Sequence, residues 1–107
     1  MESKIKYLLL EIKKGLCLIY GQQLKGVYLY GSYARGTYTV DSDMDVLVVL
    51  DRFVESYGSE IDRTGKLISD LSIKYGVSVS RAFTTEKDWQ SHHSFFLAGV
   101  HEEAIAA

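Results

Sequence analysis

The residue types with the clearest chemical potential lie between positions 31 and 45. Gly31 and Ser32 close one apolar run, and Asp43 and Asp45 open a second one after ten intervening residues. Residues i and i+2 of a strand point to the same face, so the two carboxylates stand side by side at a strand end. They repel each other unless a cation lies between them, and the Gly-Ser turn offers N–H groups and a hydroxyl to a phosphate. This combination points to nucleotide chemistry.

This stretch resembles the signature of the nucleotidyltransferase superfamily, a Gly-Ser pair followed by Asp-x-Asp. Its spacing is similar to that of the minimal nucleotidyltransferases (MNT), small antitoxins that pair with HEPN-domain toxins. The motif is specific, because many positions must coincide at fixed offsets between two strands. The matching positions are Gly31, Ser32, Ala34, Arg35, Gly36, Ser42, Asp43 and Asp45.

The resemblance implies Mg²⁺-dependent adenylyl transfer from ATP to a tyrosine hydroxyl of a HEPN ribonuclease toxin, which the modification would neutralise. Asp43 and Asp45 would be the catalytic pair and would hold Mg²⁺, a hard cation that takes carboxylate and phosphate oxygens. The ion would stabilise charge as the hydroxyl attacks the α-phosphate and pyrophosphate leaves. Four residues would bind the nucleotide: Gly31, Ser32, Arg35 and Ser42.

Several residues around the motif have two interpretations. Arg35 either contacts the triphosphate or pairs with Asp41 or Asp43 to fix the loop. Ser42 also fits a role in shaping the approach to Asp43. Two aromatic residues, Tyr33 and Tyr38, either flank the pocket and stack on a base or are ordinary half-buried side chains.

One part of the superfamily pattern is missing. Catalytic members usually add a third carboxylate from the next strand, which binds metal and helps to activate the attacking hydroxyl. The predicted strand 77–83 contains Ser78 and Ser80 but no acid. Side chains alternate along a strand, so we expect both serines to face the site and the valines of this strand to face the core. The missing third carboxylate has three explanations. The protein could be an enzyme with a reduced rate, an enzyme in which another acid such as Glu86 takes its place, or a non-catalytic relative that masks its toxin by contact.

The elements that position these residues alternate between strand and helix patterns. They predict an α/β (α+β) fold, a small mixed sheet flanked by helices. The resemblance implies that residues 1–107 form a single minimal nucleotidyltransferase domain. The run 46–50 is apolar on both faces, which is typical of a strand covered on both sides. The other predicted elements are an amphipathic helix from Ile5 to Ile19, strands at 27–30 and 77–83, and helices at 33–36, 59–75, from 86, and from 94 toward 106.

Composition limits the function classes. With 47% hydrophobic and 24% charged residues, the chain is not disordered, and a net charge of −2 argues against broad nucleic-acid binding. Charges interrupt the N-terminal apolar stretch, whereas a membrane span needs about 20 apolar residues. The single cysteine, Cys17, cannot form an internal disulfide and is expected to be a buried thiol. We therefore expect a cytoplasmic protein. The resemblance implies ATP and a HEPN-domain toxin as partners, and homo- or hetero-oligomers are left open.

The C-terminal region adds aromatic and histidine residues. The histidines at 92, 93 and 101 lack the spacing of zinc ligands. Trp89, Phe95, Phe96 and Leu97 form an apolar cluster that suits either core packing or protein docking.

A third function class is a nucleotidyltransferase for small molecules, but members of that class that modify aminoglycosides carry a further helical domain for the acceptor.

Overall fold

The computed structural model describes residues 2–107 and contains a four-stranded sheet with helices on both faces. The strand order is β3-β2-β1-β4, in which β2 and β3 are parallel and the other neighbours are antiparallel. The predicted mixed sheet with flanking helices is therefore confirmed. The elements are α1 (Ser3–Tyr20), β1 (Leu24–Tyr30), α2 (Ser32–Arg35), β2 (Met44–Leu50), α3 (Tyr57–Tyr75), β3 (Val79–Thr85), α4 (Glu86–Ser91), α5 (Phe95–Glu103) and β4 (Ile105–Ala106).

The sheet is buried on both faces, as the apolar run of β2 predicts. Alternate side chains of β2 enter two separate apolar clusters. Met44, Val46, Val48 and Leu50 pack with residues of α1 and α3. Leu47 and Val49 pack on the other face with Trp89, Leu97 and Val100 of α4 and α5. Apolar burial on both sides makes β2 the strand whose position is most strongly determined.

Most predicted elements are present, with shifted ends. Strand β1 begins three residues before the expected start, and β3 begins and ends two residues later than expected. Helix α3 begins at Tyr57 because the hydroxyl of Ser56 accepts the N–H of Ser59 at 3.1 Å and caps the helix. It ends at Tyr75, before Gly76, whose φ of +65° is the left-handed geometry expected of a helix-terminating glycine.

The expected helix from 94 toward 106 is wrong in its last three residues, 104–106. Helix α5 ends at Glu103, and Ile105 and Ala106 form β4 beside Leu29 and Tyr28 of β1. Alanine and isoleucine are compatible with a helix, but the exposed edge of β1 offers unpaired N–H and C=O groups. Pairing with these groups satisfies the backbone hydrogen bonds of both segments. This long-range pairing outweighs the local helix preference of the C-terminal residues.

The expected burial of Cys17 is also wrong, because its thiol is exposed. Residues of α1 advance about 100° each around the helix. The buried side of α1 includes Leu16 and Tyr20. Cys17 follows Leu16 directly and therefore falls outside that side.

Helices α1 and α3 lie against each other and are joined by polar contacts as well as by the core. The carboxylate of Glu11 accepts Lys74 Nζ at 3.0 and 3.1 Å and also accepts the hydroxyl of Tyr75. The Tyr75 and Lys74 hydrogen bonds lower the pKa of Glu11. No helix within residues 2–107 is both long and apolar enough to cross a membrane.

We expect Glu11→Gln to lower the melting temperature at pH 7 and to have no effect at strongly acidic pH. Because the folded-state pKa of Glu11 is depressed, its carboxylate stabilises the fold above the ordinary glutamate value of 4.5. That stability disappears as the pH falls through the folded-state pKa. Thermal unfolding followed by circular dichroism between pH 2 and pH 7 measures this. Asp70→Asn, in an exposed pair with Lys66 on α3, is the control and should change the melting temperature less. If Glu11→Gln lowered the melting temperature at pH 2 as much as at pH 7, the stabilising role of the Glu11 carboxylate would be contradicted.

Candidate functional site

The two halves of the Gly-Ser…Asp-x-Asp motif meet at one end of the sheet. Strand β1 pairs with β2 so that Tyr30 is opposite Asp45, and Gly31 follows directly. The carboxylate of Asp45 lies so close to the Cα of Gly31 that a Cβ there would collide with Oδ2. Gly31 also has a φ of +75°, which other residues rarely adopt. Glycine is therefore required here by backbone conformation and by space.

The two aspartates have unequal surroundings. Asp43 is exposed just before β2, whereas Asp45 lies within the strand and is half-buried. Burial raises the pKa of Asp45, and the negative charges of Asp43 and Glu103 raise it further against the opposing effect of Arg35. This pattern of repulsion means that a cation between Asp43 and Asp45 would stabilise both ionised carboxylates.

The donor set fits a hard divalent cation that arrives with a phosphate substrate. Within residues 2–107, no group of three or more acidic, histidine or cysteine side chains is placed to hold a metal. Mg²⁺ is commonly held by only one or two carboxylates, with substrate phosphates and water completing its octahedral shell. Asp43 and Asp45 supply those two carboxylates, so they suit a Mg²⁺–triphosphate better than a permanently bound ion.

Strand β3 presents a serine where a third acid would stand. Ser80 pairs with Asp45 in the parallel register of β2 and β3, and paired residues share a face of the sheet. Val77 and Val79 belong to the apolar cluster on the opposite face. The predicted face is therefore confirmed for Ser80, which the register identifies as the neighbour of Asp45. Ser78 precedes β3, so its orientation stays a prediction.

Glu86, the substitute acid suggested by the sequence, is at the wrong end of the sheet. Thr85 pairs with Leu50, at the far end of β2 from Asp45. Glu86 follows Ser80 by six residue steps along the strand, a distance of about 20 Å at ~3.3 Å per step. Because β2 and β3 are parallel, an acid that follows β3 cannot reach the site that precedes β2.

The Gly-Ser turn leads into a very short helix. Helix α2 contains only Ser32–Arg35 and ends at Gly36, which has a φ of +77°. The N–H groups of Ala34 and Arg35 both donate to the Gly31 carbonyl. A single turn aligns few peptide dipoles, so the helix N-terminus adds less positive charge than expected. The backbone N–H of Gly31 and the charge of Arg35 therefore matter more for an anion.

Arg35 pairs with neither Asp41 nor Asp43, so that part of the sequence interpretation is wrong. Its Nη1 donates to Oε2 of Glu103 at 2.7 Å, and the N–H of Gly31 donates to Oε1 of Glu103 at 2.8 Å. These two contacts, Arg35 first, lower the pKa of Glu103. Sequence analysis missed Glu103, since it lies 68 residues from Arg35 and has no local motif around it.

Tyr30 is a second residue that the motif does not reveal. It lies opposite Asp45, and its ring meets Phe96 edge-on with centroids 5.7 Å apart. Burial, followed by the negative charges of Asp45 and Glu103 among its neighbours, raises the pKa of Tyr30 to about 12. Its phenol therefore remains neutral at physiological pH and can donate a hydrogen bond beside the two acids. Its position directly before Gly31 in the strand is the only sequence signal for this placement.

The loop before Asp43 is held by local hydrogen bonds. Ser42 Oγ accepts the N–H of Thr39 at 2.9 Å, and the N–H of Ser42 donates to the Thr39 carbonyl at 3.1 Å. The N–H of Asp41 donates to the Thr39 hydroxyl at 3.3 Å. Ser42 thus shapes the approach to Asp43, and its contact with a nucleotide stays a prediction.

Tyr33 and Tyr38 stack on each other, and both line clefts beside α1 whose linings do not include Asp43 or Asp45. Their ring centroids are 4.0 Å apart with an interplanar angle of 9°. Tyr33 is buried in the cluster beneath α1, and Tyr38 donates its hydroxyl to Glu2 at 2.6 Å. The interpretation as ordinary packed aromatic residues is the one that this arrangement favours.

The C-terminal aromatic cluster is divided between core and surface. Trp89 and Leu97 are buried, whereas Phe95 is fully exposed and Phe96 is half exposed. His101 stacks on Trp89 with centroids 3.5 Å apart. Core packing is therefore confirmed for Trp89 and Leu97, whereas protein docking through Phe95 and Phe96 stays a prediction.

Comparisons with known proteins agree with this geometry. The sequence model of the nucleotidyltransferase domain family matches residues 9–97. "Putative protein adenylyltransferase MJ0604" of Methanocaldococcus jannaschii is 33% identical over 86 residues, covering 75% of this chain and 79% of the relative. "Putative protein adenylyltransferase MJ0141" of the same organism is 37% identical over 70 residues, covering 65% of this chain and 69% of the relative.

Two solved structures share the fold. A Sulfolobus solfataricus protein described as a "putative nucleotidyltransferase" superposes with a TM-score of 0.66 at 21% identity, over 97% of this chain and 81% of that one. A toxin-antitoxin crystallised with AMP-PNP gives a TM-score of 0.59 at 21% identity, over 89% of this chain and 68% of that one. At such identities the likeness concerns the fold alone.

We expect Ser80→Asp to tighten the binding of divalent cations, because it places a third carboxylate beside Asp45 on the same face. Isothermal titration with Mn²⁺ and Mg²⁺ measures the gain, which should be about tenfold for one added hard oxygen ligand. Ser69→Asp adds the same charge on an exposed position of α3 and should leave cation binding unchanged. Equal affinities in both variants would place the cation elsewhere.

Proposed function

Because the chain belongs to the nucleotidyltransferase domain family, we propose that it transfers an adenylyl group from ATP to a tyrosine hydroxyl of a cognate HEPN-domain ribonuclease toxin and thereby acts as an antitoxin. The observation that carries this proposal is the contact between the Asp45 carboxylate and the Cα of Gly31. It brings a pair of acids suited to a metal against a turn suited to a phosphate. The names of the two relatives, each "putative protein adenylyltransferase", support a protein as acceptor.

Each residue of the motif has a role in this proposal. Asp43 and Asp45 hold Mg²⁺, which when bound supplies charge neutralisation at the phosphates. The backbone N–H of Gly31 and the hydroxyl of Ser32 bind phosphate oxygens, and Arg35 contributes positive charge. Ser42 contributes to nucleotide binding from the loop before Asp43.

The surroundings of the site suit a protein acceptor better than a small molecule. Asp43 is exposed, so an acceptor hydroxyl on another protein can approach it directly. Phe96 contacts Tyr30 next to Asp45, and Phe95 beside it is fully exposed. Exposed aromatic residues near the reacting groups are typical of protein contact surfaces. A toxin-antitoxin among the structural neighbours supports a toxin as the partner.

A second candidate function is neutralisation of the toxin by contact alone. Ser80 occupies the position next to Asp45 on β3, so the strands supply only Asp45 here, and Asp43 just before β2 is the second acid. A weakened catalyst can still mask a partner through the surface around Phe95. The presence of both Asp43 and Asp45 favours catalysis over this alternative.

We expect the double change Asp43→Asn and Asp45→Asn to abolish adenylyl transfer while the protein stays folded. The amides keep the shape of the site but cannot hold Mg²⁺, and a loss of about a thousandfold or more follows when several kcal/mol of charge stabilisation is removed. The test incubates the protein with ATP, Mg²⁺ and the proposed toxin, taken as the product of the neighbouring gene. Intact mass spectrometry then measures the adenylate mass added to that toxin. Asp51→Asn, on the exposed residue just past the opposite end of β2, should retain full transfer. Transfer by the double variant would remove these two residues from the mechanism.

Catalysis and contact also differ in stoichiometry. If the chain neutralises its toxin by modification, a tenth of an equivalent should suffice given time, and the toxin should gain the mass of one or more adenylyl groups. If it acts by contact, protection should require about one equivalent and should survive the Asp43/Asp45 change. Ribonuclease activity of the toxin, measured against the molar ratio, separates the two. Fully inhibited but unmodified toxin in the presence of ATP and Mg²⁺ would contradict transfer as the mechanism.

A further inference from the structure

A carboxylate of the same chain already occupies the anion-binding groups of the Gly-Ser turn. Oε1 of Glu103 accepts the N–H of Gly31 at 2.8 Å, and Oε2 accepts Nη1 of Arg35 at 2.7 Å. A carboxylate presents two oxygens to these donors in the way that two phosphate oxygens would. Gly31 and Arg35 are also two of the residues proposed to bind the triphosphate of ATP.

We propose that Glu103 is an internal competitor for the triphosphate, which holds the Gly31–Arg35 anion site in the free protein and must leave it when ATP binds. The proposal rests on the nucleotide-binding role proposed for these residues. The N–H of Gly31 has one hydrogen to donate, and it is directed at Glu103. A triphosphate beside an ionised Glu103 would also meet a like charge at close range, so the two anions exclude each other.

The position of Glu103 suits a side chain that can be displaced. It is the last residue of α5, and β4 begins two residues later, so its backbone is fixed between a helix and the sheet. Its side chain is 23% exposed and can rotate toward solvent without disturbing either element. A negative charge at a helix C-terminus is unfavourable. The carboxylate is therefore kept in place by Gly31 and Arg35 rather than by its own helix.

A purely structural ion pair is the alternative, and it has different consequences. In that case Glu103 only ties α5 to α2, and its removal lowers stability without any effect on nucleotide affinity. If Glu103 competes, its removal frees Gly31 and Arg35 for the ligand. Affinity for the triphosphate then rises even if the fold becomes less stable.

The experiment measures the Kd for ATP and for inorganic tripolyphosphate, each with Mg²⁺, by isothermal titration of the full chain. Glu103→Gln and Glu103→Ala should lower both Kd values about tenfold, as expected if only about a tenth of the free protein has the anion site open. Glu102→Gln is the matched control, since it removes the same charge from the exposed neighbour on α5. It should keep both Kd values within about twofold of the unmodified chain. Unchanged Kd values in both Glu103 variants would overturn the proposal.

A second measurement uses the unmodified chain and is independent of how well the variants fold. The Gly31 and Arg35 contacts hold the pKa of the Glu103 carboxyl below its ordinary value. Saturating tripolyphosphate should take over these donors and raise that pKa, as followed by the ¹³C resonance of the carboxyl group during a pH titration. A pKa that stays depressed while tripolyphosphate is bound would refute the competition.

The outcomes separate this inference from the proposed function. If the unmodified chain binds ATP and the Glu103 variants bind it no better, the competitor role alone fails. If neither the unmodified chain nor any variant binds ATP or tripolyphosphate, the nucleotide-binding role fails and the inference falls with it.

Discussion

The site depends on the register in which β1 pairs with β2. Val27 and Leu29 of β1 lie opposite Val48 and Val46 of β2, and all four side chains are buried on the face that α1 and α3 cover. A slip of one residue would turn this apolar set toward the opposite face and the Asp45 carboxylate toward the core. Packing of the core therefore also places the Asp45 carboxylate against Gly31, because both arise from one strand pairing.

Charge balance is the second constraint, and it makes the site responsive to ligands. Burial and the carboxylates of Asp43 and Glu103 raise the pKa of Asp45, whereas the guanidinium of Arg35 lowers it and pairs with Glu103. Such a site has more negative charge than its own cation offsets. A divalent cation or a competing anion that binds there changes the ionisation and pairing of every member. The strongest consequence is for Arg35, which on our proposal pairs with Glu103 in the free protein and with the triphosphate when ATP is bound.

Much of this architecture could be predicted from local patterns. The apolar run of β2 on both faces indicated a covered central strand, and the alternation of Ser80 with Val79 indicated the correct face of β3. Gly76 marked the end of α3 because its left-handed conformation is one that glycine adopts without strain. Predictions failed where local preference competed with distant partners. The residues of β4 were expected in a helix, and only the open edge of β1 explains why they form a strand.

The sequence by itself determined the candidate site of this protein, because the identity and spacing of Gly31, Ser32, Asp43 and Asp45 are local properties of one short segment. The spacing implies a turn and a strand start, and those two features suffice to bring acids and phosphate donors together. Tertiary structure alone decided what surrounds them. Glu103 reaches Arg35 across 68 residues, and the parallel crossover places Ser80 beside Asp45 while it carries Glu86 to the far end of the sheet. Such contacts arise from how separate elements pack, and no periodicity or motif within a single element records them.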